Sequence, residues 1–244
     1  MLIDMHAHTS GASRCCRSPY DVIMKIALEN GMDGIVLANH YDRAHLKWSG
    51  VKDGDPVAYA QFYIDEFLAT EKCGKEMGCK VFFGIEVSME LYPKVHMLVY
   101  GVSTDFLLKN PCLYDMTQKD LYELVKANGG TLVQAHPFRG GTTVLDTNYM
   151  DGVEINCHPI YGKSYAEELI EIAEKNHLYI TSGGDFHDDT PYRAKCGVYL
   201  PDDTKDQFDL CRYLLAPDEK TLCIQEPNCT EIYDYTYVSA FDKD

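Results

Sequence analysis

Histidines and carboxylates are spaced along this chain as metal chemistry requires. Asp4, His6 and His8 alternate in the apolar run that opens it. Residues two apart on a strand share a face, so His6 and His8 can address one ion. Asp185 and His187 repeat that spacing late in the chain, and His40, Glu86, His96 and His136 each fall in or just after a short apolar run. These are nitrogen and oxygen donors without thiolate, a set suited to zinc, iron or manganese. Eight potential ligands exceed the needs of one ion, so two or three divalent metals are expected. Glu86 is the natural bridge, because a carboxylate offers two oxygens. Isolated buried imidazoles and carboxylates are costly to desolvate, and a shared metal cluster satisfies them together. His45, His158 and His177 are read as ordinary rim or helix-end residues.

The runs that carry these residues read as strands: Leu2–Met5, Gly34–Ala38, Val81–Ile85, Val95–Tyr100, Thr131–Gln134, Gly152–Ile155 and Tyr179–Thr181. Helical spacing marks Pro19–Glu29, Pro56–Met77, Gln118–Ala127 and Ser164–Asn176, the first with Ser18 as expected N-cap and Gly31 just past its end. Strand and helix in alternation predict a mainly parallel sheet, closed as a barrel or doubly wound. The candidate ligands then gather at strand C-termini, the face where parallel α/β barrels collect catalytic groups. Tyr41–Asp55 is the expected lid or entrance loop. Beyond Cys196 an edge strand (Cys196–Leu200) and a short helix (Asp206–Leu214) are expected, then a Tyr-rich acidic tail that is either a strand-like flap or a partly ordered terminus. The 244 residues are read as one domain, 1–244, with 196–244 as a C-terminal extension.

Lys plus Arg is 22 against 38 Asp plus Glu, a net charge of −16. Such a surface repels phosphate backbones and argues against a long nucleic acid as partner. No apolar run reaches membrane-spanning length and the first residues lack a signal-peptide pattern, so the expectation is a cytoplasmic protein without a membrane partner. The 10 cysteines, with no CxxC pair, are expected to be reduced thiols.

Taken in order, DMHAHTS, ANH (38–40), GIEVS (84–88), VHMLVYG (95–101), QAHPFR (134–139), GVEIN (152–156) and GGDFH (183–187) resemble the motifs of the PHP (polymerase and histidinol phosphatase) family. The resemblance implies a distorted seven-stranded TIM-like (β/α) barrel, a trinuclear metal centre and phosphoester hydrolysis. It also implies that His6, His8, Glu86 and Asp185 hold one metal, that Glu86, His96 and His136 hold a second, and that His40 and His187 belong to a third. The chain departs from the family at GASRCCRSP, where Ser13, Arg14 and Cys15 stand in place of a usual Asp or His. The third site is then weakened, completed by water or substrate, or lost.

Arg14 could instead present its guanidinium fork to a phosphate, with Arg139 a second candidate and Arg17 and Arg193 weaker ones. Only forty residues separate His96 from His136, which leaves no room for an inserted domain. The substrate expected is therefore a small phosphomonoester: a nucleotide, sugar or amino-alcohol phosphate. A hydroxide shared by two cations would attack phosphorus in line, with Asp185 at the reacting centre and Asp42, His187 or a metal-bound water protonating the leaving oxygen. The rivals are an amidohydrolase-type barrel, which a lactone or amide substrate would reveal, and a degenerate barrel that binds metal or phosphate without turnover.

Overall fold

The computed structural model describes residues 1–187 and 194–239. Its strands are β1 (Leu2–Ala7), β2 (Gly34–Leu37), β3 (His40–Tyr41), β4 (Lys80–Ser88), β5 (His96–Tyr100), β6 (Thr131–Gln134), β7 (Gly152–Asn156), β8 (Tyr179–Gly183), β9 (Gly197–Tyr199), β10 (Glu219–Gln225) and β11 (Ile232–Val238). The helices are α1 (Tyr20–Glu29), α2 (Arg43–Trp48), α3 (Pro56–Met77), α4 (Thr104–Lys109), α5 (Gln118–Ala127), α6 (Ala166–Asn176) and α7 (Gln207–Leu215).

One mixed sheet runs in the order β11-β10-β9-β1-β2-β4-β5-β6-β7-β8, with β3 continuing beside β4. It curls until the segment after β8 returns to β1. There Asp185 N donates to the carbonyl of His6 (2.7 Å), and Ala7 bridges Phe186 in parallel. The expected seven-stranded count is not what the described residues form, because β9, β10 and β11 extend the same sheet antiparallel from β1. Strand β9 is thus internal rather than an edge, and the Tyr-rich tail supplies β11.

The strands of this sheet do not all run parallel where a parallel order was expected. Strand β5 is antiparallel to both β4 and β6. His96 therefore lies at the start of its strand, yet on the same end of the sheet as the strand C-termini around it. Only residues 89–95 join β4 to β5, too few for the dozen or so a parallel crossover needs.

Central strands are buried on both faces, as β1 and β7 are along their whole length. Helix α1 buries Ile23, Met24, Ile26 and Ala27 but starts at Tyr20, and Ser18 Oγ makes no cap bond. Helix α3 is capped by the Asp55 side chain, which accepts from Val57 N, and ends on left-handed Gly78. The loop Tyr41–Asp55 folds into α2 and a 3-10 turn. Beneath the strand ends the Tyr100 hydroxyl crosses the sheet to the carbonyl of Met5 (2.8 Å).

Candidate metal centre

The eight sequence-selected residues converge at one end of the curled sheet. His6, His8, Glu86 and Asp185 form one set whose ligand atoms all lie within 4.8 Å of one another, and all four are buried. His40, Glu86 and His96 form another such set, and His8, His40 and His187 a third. Glu86 is the hub: its Oε1 lies 2.7 Å from His96 Nδ1 and 3.0 Å from His136 Nε2. Its Oε2 lies 2.5 Å from His40 Nδ1 and 3.5 Å from His8 Nε2.

Short as some of these approaches are, they do not satisfy the atoms that make them. His40 Nδ1, Glu86 Oε2 and Asp185 Oδ1 are buried and have no aligned hydrogen-bond partner among the described residues. Orphaned buried polar atoms are costly, and three of them facing a shared space with hard nitrogen and oxygen donors are what divalent cations satisfy. The residues present fit such ions.

The electrostatics agree. Burial alone would raise the Glu86 carboxyl, but the imidazoles of His40, His96 and His6 hold it well below the usual carboxylate range. Asp185 is held low in the same way, against burial, by Arg139, His6 and His187. Burial would lower His6, yet Glu154, Asp185 and Glu86 raise it well above the ordinary value. His8 goes the other way, lowered by burial and by neighbouring His187 and His40. Burial also lowers His40, to about 4.

Glu154, on β7, is a residue that the choice of ligands from sequence missed. It is fully buried. Its Oε1 accepts from His6 Nδ1 (2.9 Å) and its Oε2 from the backbone N–H of His136 (3.0 Å). With its proton held by Glu154, His6 presents Nε2 to Glu86 and Asp185, 3.5 Å from each. Gly183 is required beside this pair: a Cβ there would fall 2.4 Å from Glu154 Oε1 and 2.6 Å from His6 Cβ. A signal was available, since a lone carboxylate inside the otherwise uncharged run GVEIN needs a buried partner.

The other selected residues divide. The Arg139 guanidinium meets the Asp185 carboxylate. Arg14 and Arg17 are exposed. Arg193 lies outside the described residues. Asp42 is not in the cluster: it caps α2 by accepting from His45 N (2.7 Å), and it also holds His45 Nδ1 (2.9 Å) and the Ser88 hydroxyl (2.9 Å). Burial opposes its ionisation, but these bonds keep its carboxyl well below the usual range. His45 and His158, set aside in the sequence, sit at the rim, their rings 5.0 Å from His40 and 6.5 Å from His187.

Two cavities flank the centre. One, of about 90 Å³, is lined by His136, Phe138, Arg139, Asn156, Lys163 and Tyr165. The other, an open groove of about 450 Å³, is lined by Asp42, Ser88, Glu90, Lys94 and His96. His136 (φ 31°), Phe138 (φ 72°) and Asp185 (φ 48°) hold left-handed backbone conformations around this end. Strain of this kind in non-glycine residues concentrates where geometry serves a site.

No protein-family model and no curated protein sequence matches the chain. Solved structures do. A two-domain protein of Bacteroides vulgatus containing a predicted PHP-like metal-dependent phosphoesterase superposes with a TM-score of 0.62 at 14% identity, over 98% of this chain and 86% of that one. PsfC from Pseudomonas syringae gives 0.63 at 16% identity, over 98% and 91%. A Bifidobacterium adolescentis protein, provisionally named a metal-dependent phosphoesterase, gives 0.51 at 16%, over 87% and 95%. The chain therefore has the fold of the PHP-like metal-dependent phosphoesterases.

Proposed function

We propose that this chain is a metal-dependent phosphoesterase that hydrolyses a small phosphomonoester such as a nucleotide, sugar or amino-alcohol phosphate. The observation that carries the reading is the trio of orphaned buried atoms, His40 Nδ1, Glu86 Oε2 and Asp185 Oδ1, inside a shell of imidazoles. His6, His8, Glu86 and Asp185 would hold one zinc, iron or manganese ion. Glu86, His96 and His136 would hold a second, and His40 and His187 would belong to a third. Bound there, divalent ions supply Lewis-acid charge and a water of lowered pKa.

The protein's own groups then bind and orient. Arg139, which neutralises Asp185 here, would turn its guanidinium toward phosphoryl oxygens once a cation satisfies that carboxylate. The small cavity beside it, with Lys163 and Asn156, has the size and charge of a phosphoryl seat. The groove past His96 is open enough for the rest of the ester. Asp42, kept ionised by His45 and Ser88, is an anchor for α2 rather than a proton donor. Where the third site stays empty, so that its Nε2 is not a ligand, a protonated His187, whose Nδ1–H is directed at the Asp185 carbonyl (2.7 Å), is the side chain to hand a proton to the leaving oxygen through Nε2.

The test is a panel of a generic phosphomonoester, a phosphodiester, a lactone and an amide, assayed after loading with zinc, iron or manganese and again with a chelator present. Chelator-sensitive turnover of the monoester is expected. Turnover of the lactone or amide alone would make the chain an amidohydrolase-type enzyme, and metal binding without any turnover would make it a binding barrel.

A further inference from the structure

The loop after β1 carries a buried hydroxyl whose hydrogen bonds can be assigned without ambiguity. Ser13 is fully buried. Its Oγ lies 2.9 Å from His8 Nδ1, 2.8 Å from Asn39 Oδ1 and 3.0 Å from the backbone nitrogen of His40. The His40 amide can only donate. Asn39 Oδ1 is fixed as the oxygen because it also accepts from the Thr9 backbone N–H (2.8 Å). The single hydroxyl proton of Ser13 must therefore go to Asn39, and its lone pairs must accept from His40 N–H and from His8 Nδ1. His8 is left with its proton on Nδ1 and a lone pair on Nε2.

That lone pair faces the cluster. His8 Nε2 lies 2.9 Å from Asp185 Oδ1 and 3.5 Å from Glu86 Oε2. The Asn39 side chain that takes the Ser13 proton is itself braced. Asn39 Nδ2 donates to Thr9 Oγ1 (3.1 Å), and Thr9 Oγ1 donates to Glu66 Oε1 on α3 (2.6 Å). Gly11 makes room for this, since a Cβ there would overlap the Glu66 carboxylate at 2.0 Å.

We infer that Ser13 is a positioning residue, which holds the His8 proton on Nδ1 and so aims Nε2 at the metal site while fixing the backbone of a second candidate ligand, His40. The inference rests on the metal-centre reading above. One side chain thereby orients the His8 ring just past β1 and pins the backbone that carries His40 on β3, the role that partners behind metal-bound histidines play in general. Because the hydroxyl is fully engaged, it is not itself a ligand, and the set His8, His40 and His187 stays all-imidazole.

The test uses the zinc-loaded chain. Nitrogen-15 shifts of the His8 ring should report a protonated Nδ1 whose hydrogen exchanges slowly with solvent. Ser13→Ala should lose that slow exchange and bind zinc about tenfold to a hundredfold more weakly in chelator competition, with circular dichroism unchanged. Ser13→Thr, which keeps the hydroxyl, should restore both. A wild-type His8 carrying its proton on Nε2 would overturn the inference even if Ser13→Ala fails to fold. So would a Ser13→Ala protein with wild-type affinity and exchange, while leaving the metal centre standing. A wild-type chain that takes up neither zinc, iron nor manganese would instead sink the metal reading, and this inference with it.

Discussion

Replacing Glu154 by Gln removes one charge at constant shape, and the hydrogen bonds around it dictate the response. Glu154 accepts through both oxygens, Oε1 from His6 Nδ1 and Oε2 from the His136 backbone N–H and, at 3.4 Å, from Asn156 Nδ2. A glutamine has one oxygen. The backbone N–H cannot change its role, so the oxygen should turn to His136 and the amide NH2 to His6. His6 must then accept at Nδ1, which moves its proton to Nε2, the nitrogen that faces Glu86 and Asp185. Losing the orienting partner of a metal-bound histidine costs about tenfold to a hundredfold in affinity, or roughly 1.4–2.7 kcal/mol. The metal-free protein should lose about 1–3 kcal/mol for the disturbed buried hydrogen bonds. Chelator competition and thermal melting of apo and loaded protein measure the two effects separately. An unchanged metal affinity in Glu154→Gln, with Glu86→Gln strongly impaired, would refute the assignment of Glu154 as the residue that orients His6.

Single contacts set the other expected outcomes. Arg139→Ala should raise KM for a phosphomonoester at least tenfold while leaving metal content intact, which steady-state kinetics and elemental analysis check together. Arg14→Ala, at an exposed position, should leave both near wild type. Tyr237→Phe removes the hydroxyl that lies 2.7 Å from Ile180 N and 2.9 Å from Ile180 O at the margin of β8. A loss of about 1–3 kcal/mol, visible as a Tm lower by a few degrees, is expected. Burial lowers Lys220 to about 8, although Asp218 opposes this. Between about pH 8 and the 10.5 of an unfolded lysine, the unfolded chain therefore binds the extra proton, and stability should rise with pH through that window. Lys220→Met should abolish that rise in the difference between the two proteins' pH–stability curves.

The metal-bearing end of the fold was legible because its residues sit on short apolar runs whose period fixes where side chains point. His6 and His8 needed only the strand period to share a face. His96 was assigned to the right end of the sheet for an incomplete reason. The short link 89–95 already forbade a parallel β5, and counting it would have revealed the reversal. The arginines were not separable by sequence, since Arg14 and Arg139 both lie in loops and only the tertiary path brings one of them to Asp185. Glu154 carried a signal, as the lone charge in GVEIN, but that signal counts only once both faces of its strand are known to be buried, since a carboxylate on a half-exposed strand reads as outward-facing. Ser13 was noticed only for the ligand it is not, because a hydroxyl's role depends on which three groups surround it. Strand β10 escaped because its charged start, EKT, resembles the acidic tail beyond it.

If the buried, orphaned donors at one end of the sheet serve to hold cations, the ions should be countable and should stabilise the fold. Elemental analysis of the purified chain, paired with melting before and after chelation, tests this most directly. At least two equivalents of zinc, iron or manganese per chain are expected, with a substantially lower Tm once they are removed, because the clustered carboxylates and imidazoles lose their counter-charge. A chain that carries no such metal, takes none up on reloading, and melts at the same temperature with and without chelator would contradict the account.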